Sequence, residues 1–302
     1  MSNTLTSMTG TMIQDEVLPA LKLGLLPVNS FSVGVADVPK NVGDSVNVPI
    51  VSAKSAGTYS TTYESGNSTT TGTNVALAAP TFSSWFVNPN LEAAATMERF
   101  LAQGKEAAYA VAKSVVQDVV GLYLAANIGD VADTDKKVVT AANYSSSDQK
   151  DLWKMLKTKG VAGTASAIHT IDYAAELFDD ARLVDKSASG SDVLRTGELP
   201  SILGARQFYT DAFPTAITDE NTGVIYTSPE TAAVAFAQPA NVVTGAEDAA
   251  GLRVMVVEDP ETGIPLIWRQ WLNTATGAYW GSVLVMHGQS FLRDAAVRIV
   301  SA

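Results

Sequence analysis

With 302 residues, 46% of them hydrophobic, the chain can bury one large core or two modest ones and reads as globular. Its 20 Lys and Arg against 31 Asp and Glu give a net charge of -11, which argues against a reader of nucleic-acid phosphates and favours a soluble free subunit. The absence of cysteine excludes a disulfide framework, a thiolate metal site and a Cys nucleophile, and fits synthesis in a cytoplasm.

The first residues, Met1 to Leu5, carry neither the basic nor the apolar segment of a signal peptide, and no stretch approaches the roughly 20 apolar residues that cross a bilayer. Residues 1 to 40 read as an extended arm with one short amphipathic helix near Gln14 to Lys22. Residues 41 to 86 read as a long hairpin. Strand-like runs, Ser45 to Val51 and Asn74 to Phe82, flank a 23-residue stretch, Ser52 to Asn74, in which 12 residues are Ser or Thr and none is Leu, Ile, Val, Phe or Trp. Thr and Tyr favour extended backbone, yet so little apolar surface cannot offset the entropy of ordering, so such an arm must lie on something else. Solvated coil is the competing reading. The strand-like flanks favour a hairpin that projects towards another subunit.

Asn88-Pro89 followed by Glu92 forms a helix start, with a capping side chain, a proline in the first turn and a carboxylate at the positive helix end. Apolar residues then recur at Met97, Leu101, Ala108, Val111, Val115, Val119, Leu122 and Ala126, the spacing of one buried helix face. Gly104 is expected to split or bend this run, leaving a spine helix over 105–128 that ends at Asn127 to Gly129. A further helix is predicted from Ser147 to Lys159 with Leu152, Trp153 and Leu156 inward, then a buried strand within Gly160 to Ile168 and a helix from Ile171 to Phe178. Strands at Ile202 to Tyr209 and Gly223 to Thr227 follow, then a helix from Pro229 to Ala237. A final antiparallel set comprises Arg253 to Val257, Leu266 to Asn273, Gly277 to Met286 and Ala296 to Val300, punctuated by turns such as Asp259 to Gly263.

Chemistry is sparse along this chain. His169 and His287 stand 118 positions apart without metal-ligand spacing, and core or capping roles suit them better than catalysis. Asp130, Asp133 and Asp135 lack the sixth-position glycine and closing Glu of a calcium loop and read as a solvated helix terminus, while Asp179, Asp180 and Arg182 read as a surface charge group. Lys136, Lys137, Lys150, Lys154, Lys157 and Lys159 form one basic neighbourhood without aromatic interleaving, read as the wet face of the Trp153 helix in preference to a patch that meets an acidic neighbour. No phosphate loop, dinucleotide fingerprint or nucleophile elbow is present. No catalytic, cofactor-binding or metal-binding residue is assigned.

The order of the pieces, together with three local stretches, resembles the major capsid protein of tailed bacteriophages, the Hong Kong 97-like fold. Gly43 to Pro49 is similar to the entry of that family's extended loop, Gly197 to Tyr209 to its run from a glycine turn into a strand, and Gly223 to Phe236 to the segment before its last sheet. Ala205 to Tyr209 departs from the family in lacking a glycine-phenylalanine pair. The resemblance covers essentially the whole chain and rests on order more than on any single motif. It implies an α+β fold divided into an N-terminal arm (1–40), an extended loop (41–86), a peripheral domain with its spine helix (87–132), an axial domain (133–257) and closing strands that return to the peripheral domain (258–302).

The resemblance also implies a structural, non-enzymatic subunit of an icosahedral head, forming pentamers and hexamers, made in a bacterial host's cytoplasm and enclosing double-stranded DNA without reading its sequence. A portal and a separate scaffolding protein are implied partners, since no long charged helical leader is present. Lys54, Tyr59, Tyr63 and Glu64 in the extended loop are the candidate inter-subunit contacts. Some relatives crosslink a loop lysine, but nothing around Lys54 identifies an acceptor or an acid, so no crosslink is expected. The alternatives are an encapsulin-type compartment shell and an α+β enzyme or binding protein with a mobile lid.

Overall fold

A computed structural model describes residues 10–51, 70–88, 97–161, 163–184, 199–240 and 252–301. Two short helices, α1 (Gly10–Glu16) and α2 (Leu18–Leu25), open the described chain in place of the single predicted one. Pro19 sits in the first turn of α2, where its missing N–H costs nothing, so it starts a helix. Strand β1 (Ser32–Val35) follows, then β2 (Ser45–Val51) and β3 (Thr70–Ala76), which pair antiparallel from Ser45↔Ala76 to Val51↔Thr70 as a two-stranded ribbon. The predicted run Asn74 to Phe82 is broken by Leu77–Pro80, and β4 (Thr81–Val87) belongs to another sheet.

The spine helix α3 runs unbroken from Met97 to Val120. The expected helix start at Pro89 and Glu92 lies outside the described residues. Gly104 does not divide the helix, because its missing side chain serves packing: a Cβ there would stand 2.8 Å from Trp268 and 3.1 Å from Trp85. Those two rings and Phe100 form a cluster with centroids 5.0, 5.3 and 6.0 Å apart, edge-on or tilted as aromatic quadrupoles prefer. The helix stops earlier than predicted, at Val120, and the chain turns through Gly121 to Leu124 into the short α4 (Ala125–Ile128).

Next come β5 (Lys136–Val138), α5 (Ser146–Thr158), β6 (Ser166–His169), α6 (Ile171–Asp179), α7 (Ala181–Val184), β7 (Arg206–Tyr209), α8 (Thr215–Asp219) and β8 (Thr222–Thr227). Ser145 and Asp148 cap α5 reciprocally, each satisfying a backbone N–H at its start. Leu152 and Leu156 of α5 are buried as predicted, but Trp153 is 38% exposed and faces away from the core. The strand predicted from Ile202 is shortened by a tight turn at Leu203 and Gly204, both with positive φ (52° and 78°).

The segment Pro229 to Ala237, expected as a helix, contains the strand β9 (Ala232–Ala237), buried at every position. Alanine content suggested a helix, but the order Ala-Val-Ala-Phe-Ala alternates large and small with period two. Val234 and Phe236 join the core under α3, and Ala233, Ala235 and Ala237 lie beneath the ribbon. The last strands are β10 (Arg253–Glu258), β11 (Pro265–Asn273), β12 (Ala278–Phe291) and β13 (Ala296–Val300). They do not form one antiparallel set: β13 lies in the other sheet, parallel to β5 and antiparallel to β8.

One sheet therefore has the order β1-β9-β12-β11-β10, with β4 also paired to β12, and the other the order β5-β13-β8-β6-β7. The first sheet and α1 to α3 share the larger core, while α5, α6 and the second sheet enclose a separate one around Leu152, Leu156, Tyr226 and Ile299. Charged groups bind the elements where these regions meet. Arg298, 2% exposed, reaches Asp130 at 2.7 Å and also pairs with Glu220, whose carboxylate accepts from Ala125 N at 2.9 Å. Lys159 reaches Asp135 at 2.8 Å and Asp294 at 2.7 Å.

Candidate assembly surface

Both faces of the first sheet are apolar. Residues Trp85, Val87, Leu266, Trp268, Val283 and Val285 alternate onto the face covered by α3. On the opposite face the root of the ribbon covers one half: Val46, Val48, Val75 and Leu77 bury against Ala233, Ala235, Ala237 and Met286. The approach is close enough that a Cβ on Gly288 would lie 2.0 Å from the Ala76 carbonyl oxygen.

On the other half of that face Val254, Ile267 and Leu284 are buried and Trp271 and Trp280 half-buried, while the β4 side chains stand open. Phe82 and Phe86, which alternate with the inward Trp85 and Val87 on β4, are 65% and 49% exposed. Phe86 stacks on Trp280 at 5.0 Å, and Trp280 on its cross-strand partner Trp271 at 6.0 Å with planes 13° apart. Beside this ladder, Val254, Ile267 and Leu284 pack together across β10, β11 and β12. Arg269 lies in the same row as Ser282 and Val254, and among the described residues no carboxylate pairs with it. Aromatic side chains and arginine are the residues enriched where protein surfaces bury one another, which makes this ladder the candidate for such a surface.

The predicted contact residues Lys54, Tyr59, Tyr63 and Glu64 all lie outside the described residues. Sequence reasoning missed Phe82, Phe86, Trp271 and Trp280. Their signal was present: Phe82, Ser84 and Phe86 alternate with Trp85 and Val87, and the two tryptophans flank the turn between β11 and β12 at matching distances.

Both histidines are buried and hydrogen-bonded. His169 is fully buried, its Nε2 2.8 Å from Gln207 Oε1, and burial pushes its pKa down to about 4. His287 lies under α3 with Nε2 3.0 Å from Asp118 Oδ2. Two of the three clustered aspartates are not merely solvated: Asp135 is buried in its pair with Lys159, and Lys136, with Arg298 adding to it, holds the Asp130 carboxyl below the usual range. Asp180 likewise caps α5 by accepting from Ser146 N at 2.7 Å. Of the six lysines, Lys136, Lys137 and Lys159 pair with carboxylates and Lys157 donates to the Val161 carbonyl, which leaves Lys150 and Lys154 on the exposed side of α5 with Trp153. Among the described residues no three His, Asp or Glu side chains are grouped to hold a metal, and no helix is long and apolar enough to cross a membrane.

No protein-family model matches the sequence, and no curated protein is similar to it. Solved structures are similar in fold. A chain of the capsid of the cyanophage P-SCSP1u is 13% identical with a TM-score of 0.54, covering 90% of this chain and 87% of its own. The capsid of Ralstonia phage GP4 matches at 12% identity and a TM-score of 0.51, over 90% and 89% of the two chains. The mature capsid of bacteriophage PhiM1 matches at 10% identity and a TM-score of 0.50, over 90% and 86%. Matches over nearly the full length of both partners, at identities too low to carry more than architecture, establish that this chain has the Hong Kong 97-like fold of phage capsid subunits.

Proposed function

We propose that this chain is the structural subunit of an icosahedral phage head, assembling into pentamers and hexamers that enclose packaged double-stranded DNA. The observation that carries this reading is the half-covered sheet. The ribbon root covers half of the face opposite α3, and on the other half Phe82 and Phe86 stay exposed beside half-buried Trp280 and Trp271, as expected of a subunit whose burial is completed by its neighbours. Symmetry then multiplies modest contacts into a stable shell.

The role is structural, with the extended loop, including Lys54, Tyr59, Tyr63 and Glu64, reaching a neighbouring subunit. In this reading the region around the larger core serves as the peripheral domain and the region around the smaller core as the axial domain. A net charge of -11 suits a wall along which DNA slides during filling. A portal and a separate scaffolding protein are the partners this role calls for, production in a bacterial cytoplasm precedes it, and the virion is the final location. Electron microscopy of the expressed chain, alone and with a co-expressed scaffold, tests the proposal: closed shells are expected, and a stable monomer under both conditions would refute it.

A further inference from the structure

His287 sits where three elements meet. It lies on β12 just past the point at which the partner along one edge changes from β4 (through Val285) to β9 (from Met286). Its backbone carbonyl accepts from Ala78 N at 2.9 Å, in the segment that leaves the ribbon, and the next residue is the Gly288 on which the ribbon rests. Its side chain points to α3, beside Phe236 with ring centroids 6.5 Å apart, where Nε2 meets Asp118. The histidine is 1% exposed, while the Asp118 side chain is 45% exposed.

Asp118 is the charged group that faces this imidazole. The adjoining β1, β4, β9 and the linker Leu77–Pro80 contribute no ionisable side chain. In the neutral ring Nε2–H donates to the carboxylate and Nδ1, buried without a protein partner, carries no proton. A second proton would place an N–H on Nδ1 with nothing to accept it and a cation in a site stripped of water, offset in part by a carboxylate that is half in solvent. We propose that His287 and Asp118 form an acid-released clasp: neutral His287 fastens the ribbon's root and β12 to the spine helix, and its protonation loosens that root.

Burial pushes the His287 pKa below the ordinary histidine range although Asp118 opposes it. The open form therefore binds the proton more readily than the closed one, and opening is favoured as pH falls below the ordinary value of about 6.5. This inference concerns the subunit itself and is tested without assembly. Hydrogen exchange at the amides of Ala78 and of residues 286–291, corrected for intrinsic rates between pH 7 and pH 5, should lose protection by up to about tenfold per pH unit in the native chain. In His287→Gln, which keeps an N–H for Asp118 but cannot titrate, protection should stay level. Equal losses in both proteins, or none in either, would overturn the clasp. Should the variant not fold, the NMR titration of His287 in the native chain decides: a midpoint below the ordinary range, at which the loss at Ala78 that began near pH 6.5 levels off, supports it, and a midpoint at or above that range refutes it.

Discussion

At Gly104 the helix gives up intrinsic stability for contact. Glycine costs about 1 kcal/mol against alanine in a helix interior, so on propensity Gly104→Ala should stabilise the protein. The rings of Trp268 and Trp85 reverse the sign, because the new methyl would enter space that they fill. We expect Gly104→Ala to destabilise the subunit by about 1–3 kcal/mol in urea unfolding, the usual cost of overpacking. His169 supplies a second test. It stays neutral in the folded chain down to about pH 4, whereas the unfolded chain takes up the proton near 6.5, so the unfolded state binds more protons across that interval. Its contribution is intact above about pH 6.5 and is lost as pH falls towards 4, amounting to roughly 3 kcal/mol at the acid end. Replacing His169 with Gln should flatten the stability curve between pH 6.5 and 4, measured by chemical denaturation; an unchanged slope would show that the imidazole titrates alike in the folded and unfolded chains. The packing role of Gly104 could not be read in the sequence, since a lone glycine in a helical pattern suggests a break, whereas the missing ligand spacing of His169 pointed to a core or capping role without revealing that the ring is held neutral.

The elements with strong local signals were legible. The apolar period of three and four located the spine helix, and Leu152 with Leu156 located α5. Elements failed where tertiary placement overrides propensity. Strand β9 is flanked by β1 and β12, with Val234 and Phe236 in the larger core and Ala233, Ala235 and Ala237 packed under the ribbon, so helix-forming residues sit in a strand. The assignment of β13 failed for another reason, because its partners β5 and β8 are distant in sequence. On β4 the alternation is informative in a different way. Trp85 and Val87 anchor the strand to the core, which frees Phe82 and Phe86 for another task. The double substitution Phe82→Ser with Phe86→Ser should change subunit stability by no more than about 1 kcal/mol and abolish particle formation, read by denaturation and light scattering in parallel. Normal assembly would show that this face is not buried between copies.

Taken as a whole, the described residues form two main cores joined by a charged seam at Arg298 and Lys159, and a sheet with Phe82 and Phe86 exposed along β4. Among the described residues no three His, Asp or Glu side chains are grouped to hold a metal. In the proposed reading, repetition by symmetry is the means by which the ribbon and the sheet face acquire a function. The measurement that bears most directly on this account is a cryo-electron microscopy map of particles formed by the chain. It should show a closed shell of pentamers and hexamers in which Phe82, Phe86 and Trp280 are covered by a second copy. A map in which that face lies open to solvent, or a preparation that yields only small closed oligomers, would contradict it.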